Sequence, residues 1–234
     1  MELKSIDKDK FNEIATKFAC RNFFQTSNMG SSLEMRGKKI YYLGLEDDEQ
    51  IVAITMLVEN GTFLRKKVFE ALKGFLIDYS DTELVKIFTE KLLEFVKEQN
   101  GFKLSIDPYI IETERDIDGK IIDGGKNNYK VIEALGNIGY QKSKVDTQVR
   151  FNFCLDVLGK SEEEVFKNFK ATTRNLINKA EREGVEVIDL SYEELDNFKA
   201  ITEYTCKRRG FLDKSLEYYQ SMYKAFGDEV VFKL

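Results

Sequence analysis

Residues 161–220, SEEEVFKNFKATTRNLINKAEREGVEVIDLSYEELDNFKAITEYTCKRRGFLDKSLEYYQ, decide the fold. Ser161 and Glu164 make the Ser-x-x-Glu pattern of a capping box, which predicts a basic, amphipathic helix running to Glu183. Gly184 cuts that helix off, and Val185–Leu190 reads as a strand. A second capping box, Ser191 with Glu194, opens a helix that ends near Arg209, and Ser215–Phe226 predicts a third. Val230–Leu234 then begins a strand for which the sequence offers no partner. Unpaired strand edges need cover, so the expectation is a second domain, residues 151–234, that is incomplete.

Working back from this stretch, residues 1–150 read as a first α+β domain, the split falling near residues 145–160. Residues 6–18 predict a helix with Phe11, Ile14, Ala15 and Phe18 on one face, and Gln25–Ser32 reads as a polar loop. Ile40–Leu45 and Ile51–Val58 form a predicted hairpin around the acidic turn Glu46–Glu49, with further strand over Thr62–Ile77 interrupted at Gly74. Asp81 caps a periodic helix ended by Gly101, with Leu84, Ile87, Phe88, Leu92, Phe95 and Val96 facing inward. Phe102–Ile106 reads as a strand, Tyr129–Gly136 as a helix and Thr147–Asp156 as a strand.

Composition removes several chemistries. The 234 residues are 42% hydrophobic and 33% charged, enough for a real core. A net charge of −5 argues against a dedicated DNA-binding domain but leaves room for a local basic patch. With no histidine, a Ser-His-Asp triad and the commonest metal ligand are both missing. Cys20, Cys154 and Cys206 are too scattered to suggest a zinc site or a disulfide framework. The N-terminus lacks an apolar signal core and no run reaches membrane-spanning length, so a cytoplasmic protein is expected, with no metal and no cofactor.

The weaker motifs have ordinary explanations. Gly124-Gly125-Lys126 lacks the spacing of a phosphate loop and reads as a turn. Asp116-x-Asp118-Gly119 begins like a calcium loop but lacks the remaining ligands. Lys167, Lys170 and Arg174 fall at i, i+3 and i+7 of the predicted 161–183 helix. One reading is a solvated face; the other is a contact for RNA phosphates. Lys214 and Tyr218, at i and i+4, sit at the start of the third helix. They are either a surface lysine packed along a half-buried tyrosine or a grip on a diphosphate or nucleotide ring.

Residues 161–234 resemble the second domain of the Fem family (FemABX), non-ribosomal peptidyltransferases that build peptidoglycan cross-bridges. The residues that carry the resemblance are Lys170-Ala-Thr-Thr-Arg174, Asn178-Lys179-Ala-Glu, Gly184-Val185-Glu186-Val187, Lys207-Arg208-Arg209-Gly210-Phe211 and Leu216-Glu217-Tyr218-Tyr219. In the first half, Phe24-Gln25-Thr26-Ser27 stands where the family has Phe-x-Gln-Ser, and Phe69–Asp78, with Lys73-Gly74, resembles its Lys-Gly-Pro strand. The chain departs at Met29-Gly30, where the family has Trp-Gly, and at Ser31-Ser32, where a substrate-binding lysine can occur.

The resemblance implies tandem acetyltransferase-like (GNAT) domains, each a mixed, twisted sheet flanked by helices. It implies transfer of an amino acid from aminoacyl-tRNA to an amine on the stem peptide of a cell-wall precursor. That acceptor is UDP-MurNAc-pentapeptide or its lipid-linked form, the latter giving peripheral membrane contact. Lys214 matches the family's basic position at the nucleotide diphosphate, and Tyr218 the tyrosine one turn later. An acyl-CoA N-acyltransferase of the same fold would need a glycine-rich pyrophosphate loop after a strand, and none is found. A non-catalytic binding module of this fold is the third reading.

Overall fold

The computed structural model describes residues 1–145 and 148–234. In chain order its elements are β1 (Glu2–Ser5), α1 (Lys8–Ala15), α2 (Ser27–Met35), β2 (Lys39–Asp47), β3 (Gln50–Phe63), β4 (Lys66–Ala71), α3 (Thr82–Glu98) and β5 (Gly101–Ile106). After these come α4 (Tyr129–Ile138), α5 (Glu162–Asn168), α6 (Ala171–Arg182), α7 (Leu195–Arg209) and α8 (Leu216–Phe226). The five strands form one mixed sheet in sequence order, antiparallel as far as β4 and parallel between β4 and β5. A parallel pair needs a crossover, and α3 provides it.

Strand alternation covers both faces of this sheet. Leu43, Leu45, Ala53 and Leu57 share a core with Val85, Phe88, Leu92 and Val96 of α3. Tyr42, Ile54, Met56 and Val58 meet Phe11, Ile14, Met29 and Leu33 of α1 and α2. The acidic turn closes the β2–β3 hairpin as expected, with Asp47 opposite Gln50 and left-handed φ angles of 46° and 64° at Asp48 and Glu49. Asp81 caps α3 by accepting the Leu84 N–H at 2.9 Å. Asn100, with φ 61°, makes the exit turn expected of Gly101. Gly101 instead opens β5, where a Cβ would come within 2.7 Å of the Phe69 ring.

The structure corrects four other expectations. Gln25–Ser32 is not a loop: after a short 3-10 turn, Thr26 caps α2 through the Met29 N–H. Its buried face mixes one apolar pair, Met29 and Leu33, with Ser27, Gly30 and Ser32, so the apolar periodicity that marks a helix is weak. The basic helix expected over 161–183 is two helices, α5 and α6, because the backbone turns extended at Phe169 (ψ 150°). Residues 148–156 alternate like a strand yet pair with no strand among the described residues, leaving Phe151 and Phe153 exposed. Asp146 and Thr147, within the expected domain boundary, lie outside the described residues. Finally, 230–234 does have a partner: Ile188 and Leu234 exchange hydrogen bonds of 2.8 and 2.9 Å, and the Leu190 N–H reaches Phe232 O at 2.8 Å.

The third cluster, Leu190, Leu195, Tyr219 and Phe232, lies beside that pairing. Met222 of α8 packs against both this cluster and the α1–α2 face of the sheet. Helix α8 therefore joins the C-terminal part of the chain to α2. The approach of α2 to β2 is set by Gly30, where a Cβ would fall 1.8 Å from the Tyr42 hydroxyl. That hydroxyl is buried without a hydrogen-bond partner among the described residues. Gly30→Ala should cost about 1–3 kcal/mol of stability through overpacking. Tyr42→Phe, which removes an unsatisfied buried group, should recover part of the loss in the double variant. Thermal unfolding of the two single variants and the pair checks this; additive losses contradict it.

Candidate functional site

Of the residues singled out from sequence, Lys214 and Tyr218 stand together at the N-terminus of α8. Ser215 caps that helix, its hydroxyl accepting the Tyr218 N–H at 3.2 Å. The Lys214 ammonium lies 5.6 Å from the centre of the Tyr218 ring. The structure adds a residue that sequence reading passed over: the Arg36 guanidinium sits 4.7 Å from the same ring centre. Both distances fall in the range of cation–π attraction. Neither cation is paired with a carboxylate among the described residues. Two cations around one half-buried phenol make a local positive site in a chain of net charge −5.

Arg36 arrives there because α2 lies along α8. The Ser32 and Ser221 hydroxyls meet at 2.9 Å, both residues buried. Asn28 donates to Glu229 at 3.2 Å, and the Phe23 and Phe226 rings meet edge to face, 6.5 Å between centres. One turn beyond Ser32, Arg36 closes α2 and donates its Nε–H to the Ser32 carbonyl at 3.2 Å. Ser31 and Ser32, where the family can carry a lysine, are thus occupied otherwise, Ser31 accepting from Lys8 at 3.3 Å. Gln25 holds the start of α2 to the sheet. Its fully buried amide accepts the Met56 N–H at 2.7 Å and donates to Leu72 O at 2.7 Å.

The other end of the site is fixed by Asp213. Its carboxylate accepts from Lys199 at 2.6 Å, Tyr219 at 2.8 Å, Thr202 at 2.9 Å and the Lys214 N–H at 2.8 Å. Burial alone would raise its pKa; the donors outweigh that and hold the carboxyl well below the ordinary range. The loop between α7 and α8 is therefore clamped just before Lys214.

The predicted phosphate contacts behave differently. Lys167 pairs with Glu163 at 2.7 Å on the exposed surface of α5. Arg174 turns back to the carbonyls of Lys167, at 2.9 Å, and Phe169, closing the end of α5. Lys170 is the N-cap residue of α6 and makes no side-chain cap bond. The three do not share one continuous helix face. Asp116 spends its carboxylate on the N–H groups of Asp118 and Lys120, both at 2.9 Å, and Gly125 closes a turn onto Ile122 O at 3.0 Å. Among the described residues no cluster of three or more His, Cys, Asp or Glu could hold a metal ion, and no helix is long and apolar enough to cross a membrane.

Comparison with known proteins places the chain. The model of the FemAB family matches residues 6–234. Aminoacyltransferase FemA of Staphylococcus epidermidis strain RP62A is 24% identical over 241 residues, an alignment covering 100% of this chain and 58% of that protein. The protein of the same name from Staphylococcus aureus strain MW2 is also 24% identical, with 100% and 57% covered. The crystal structure of FemX superposes with a TM-score of 0.74 at 17% identity, covering 98% of this chain and 56% of that one, and so shows a shared fold. The chain spans a little over half the length of these relatives.

Asp213 offers a test of the clamp. A carboxyl whose pKa is lower folded than unfolded stabilises at pH values above its ordinary 3.8, and the contribution is lost as the pH falls below that value. Asp213→Asn should lower Tm at pH 7, and the gap to the parent should narrow as the pH drops below about 4. Thermal unfolding across pH measures it; a gap independent of pH contradicts the clamp.

Proposed function

The chain belongs to the FemAB family, and we propose that it serves an aminoacyltransferase that moves an amino acid from aminoacyl-tRNA to the stem peptide of a peptidoglycan precursor. In this reading Arg36 and Lys214 bind the diphosphate of UDP-MurNAc-pentapeptide or its lipid-linked form, and Tyr218 orients it. The observation that carries the reading is the pair of cations, one at the end of α2 and one just before α8, converging on one ring at 4.7 and 5.6 Å with no carboxylate partner among the described residues. A diphosphate supplies the missing negative charge, and guanidinium is suited to bidentate phosphate contact. Tandem acetyltransferase-like domains are part of the proposal, as is work at the cytoplasmic side with peripheral membrane contact through the lipid-linked substrate.

The chemistry suits a chain without histidine. The acceptor amine nitrogen attacks the ester carbonyl of the aminoacyl-tRNA and forms the amide. The bond to the terminal ribose oxygen breaks, and the departing hydroxyl takes up the proton that the amine loses. Because the ester is already activated, positioning and oxyanion stabilisation supply most of the acceleration.

On the tRNA side, Lys167, Lys170 and Arg174 are the proposed phosphate contacts. Lys170 is favoured, since Lys167 and Arg174 already have partners. Calorimetry with UDP-MurNAc-pentapeptide should show Arg36→Ala and Lys214→Ala each weakening binding by about 1–3 kcal/mol, the scale for hydrogen bonds to charged groups. Unchanged affinity in both would return the cluster to surface packing. In the companion arm, Lys170→Glu should flatten the salt dependence of aminoacyl-tRNA binding, because fewer counterions are released. An unaltered slope removes Lys170 from the tRNA contact.

A further inference from the structure

A second concave site lies away from the Tyr218 ring, where the turn before α2, the turn after β4 and the loop after β5 converge. Arg21, Asn22, Phe23, Phe24, Lys73 and Tyr109 line a pocket of about 190 Å³. Pockets that enclose a whole small molecule run to roughly 300–1,000 Å³. This one has room for the end of a ligand.

Its polar groups are almost all committed. The Asn22 side chain accepts the Phe24 N–H at 3.1 Å and donates to Cys20 O at 3.0 Å and Lys73 O at 2.9 Å. The Lys73 ammonium is neutralised by Asp107 at 2.8 Å. What remains is the Arg21 guanidinium, which has no hydrogen bond or ion pair among the described residues. Arg21 shares the lining of the pocket with the Phe23 and Phe24 rings, whose centres are 4.0 Å apart, and with the exposed Tyr109.

The backbone here is held in a costly conformation. Lys73 has φ 51°, a left-handed value that a residue with a Cβ rarely adopts. The Asn22 amide on its carbonyl keeps it there. Such strain concentrates at ligand sites. An uncommitted arginine in a pocket lined by aromatic residues suits a carboxylate on a small apolar frame, because the planar fork of the guanidinium matches a carboxylate in two parallel hydrogen bonds.

We infer that this pocket receives the C-terminal carboxylate of the acceptor's peptide, with Arg21 as its counter-ion. The inference rests on the acceptor proposed above and adds where its far end lies. Phe226, whose ring meets Phe23, is eight residues beyond Tyr218 on α8, about 12 Å along the helix axis. Together with the 6.5 Å between those rings this makes a span of at most about 18.5 Å; five extended residues reach roughly 17 Å, and the sugar between the diphosphate and the peptide supplies the remainder. The pocket therefore reads the length and the terminal charge of the peptide, while the Tyr218 site reads its nucleotide end.

The test is calorimetry with three probes: UDP-MurNAc-pentapeptide, the same compound with its C-terminus amidated, and UDP alone. For the parent protein, amidation should weaken binding about tenfold. Arg21→Ala should produce the same loss with the free acid, no further loss with the amide, and no change with UDP. Arg21→Lys should restore part of the affinity for the acid. Equal affinities of acid and amide for the parent, or an Arg21→Ala variant that binds the acid as the parent does, would overturn the pocket while leaving the diphosphate site standing. Failure of all three probes to bind the parent would overturn both.

Discussion

The contact between α2 and α8 is the constraint on which the rest of the site depends. The Ser32 and Ser221 hydroxyls are bonded to one another where water does not reach. Sliding either helix by a turn would leave the Ser32 hydroxyl buried and unsatisfied and Ser221 with only its bond to the Tyr218 carbonyl, so the pair fixes register as well as adding stability. Each helix is in turn anchored at a distance from this pair. Gln25 ties the start of α2 to β3 and to the segment after β4, and Gly30 lets α2 settle onto Tyr42. On the other helix, the four donors around Asp213 immobilise the turn that carries Lys214. The Arg36–Tyr218–Lys214 cluster is the product of these two anchored ends meeting.

The electrostatics follow from the same arrangement. The chain carries 41 acidic and 36 basic residues, so it does not attract polyanions as a whole. Many of its lysines sit beside a carboxylate, as Lys73, Lys167 and Lys199 do. Arg36 and Lys214 are held instead against an aromatic ring, which attracts a cation without cancelling its charge. An anion arriving there displaces no internal ion pair.

Sequence reading found the strongly periodic parts of this fold and missed those built from small polar residues. The β2–β3 hairpin, α3 with its Asp81 cap, and the two capping boxes at Ser161 and Ser191 all form as their patterns predict. Helix α2 was hidden because Ser27, Gly30 and Ser32 bury by hydrogen bonding and close approach, leaving only Met29 and Leu33 as an apolar signal. Missing that helix meant missing Arg36, whose only sequence signal was its place one turn after Ser32 and just before Gly37. The break between α5 and α6 was equally silent, since neither Gly nor Pro marks Phe169-Lys170. Lys214 and Tyr218, by contrast, could be paired from their i, i+4 spacing at a capped helix start.

The claim that α2 and α8 together form one anion site is tested most directly by a double-mutant cycle. Affinity for UDP-MurNAc-pentapeptide would be measured for the parent, Arg36→Ala, Lys214→Ala and the double variant. If both cations hold the same diphosphate, their losses should be coupled, with an interaction energy beyond the roughly 0.3–0.5 kcal/mol scatter of independent sites. Losses that simply add would mean that Arg36 and Lys214 act separately, and the shared site would have to be abandoned.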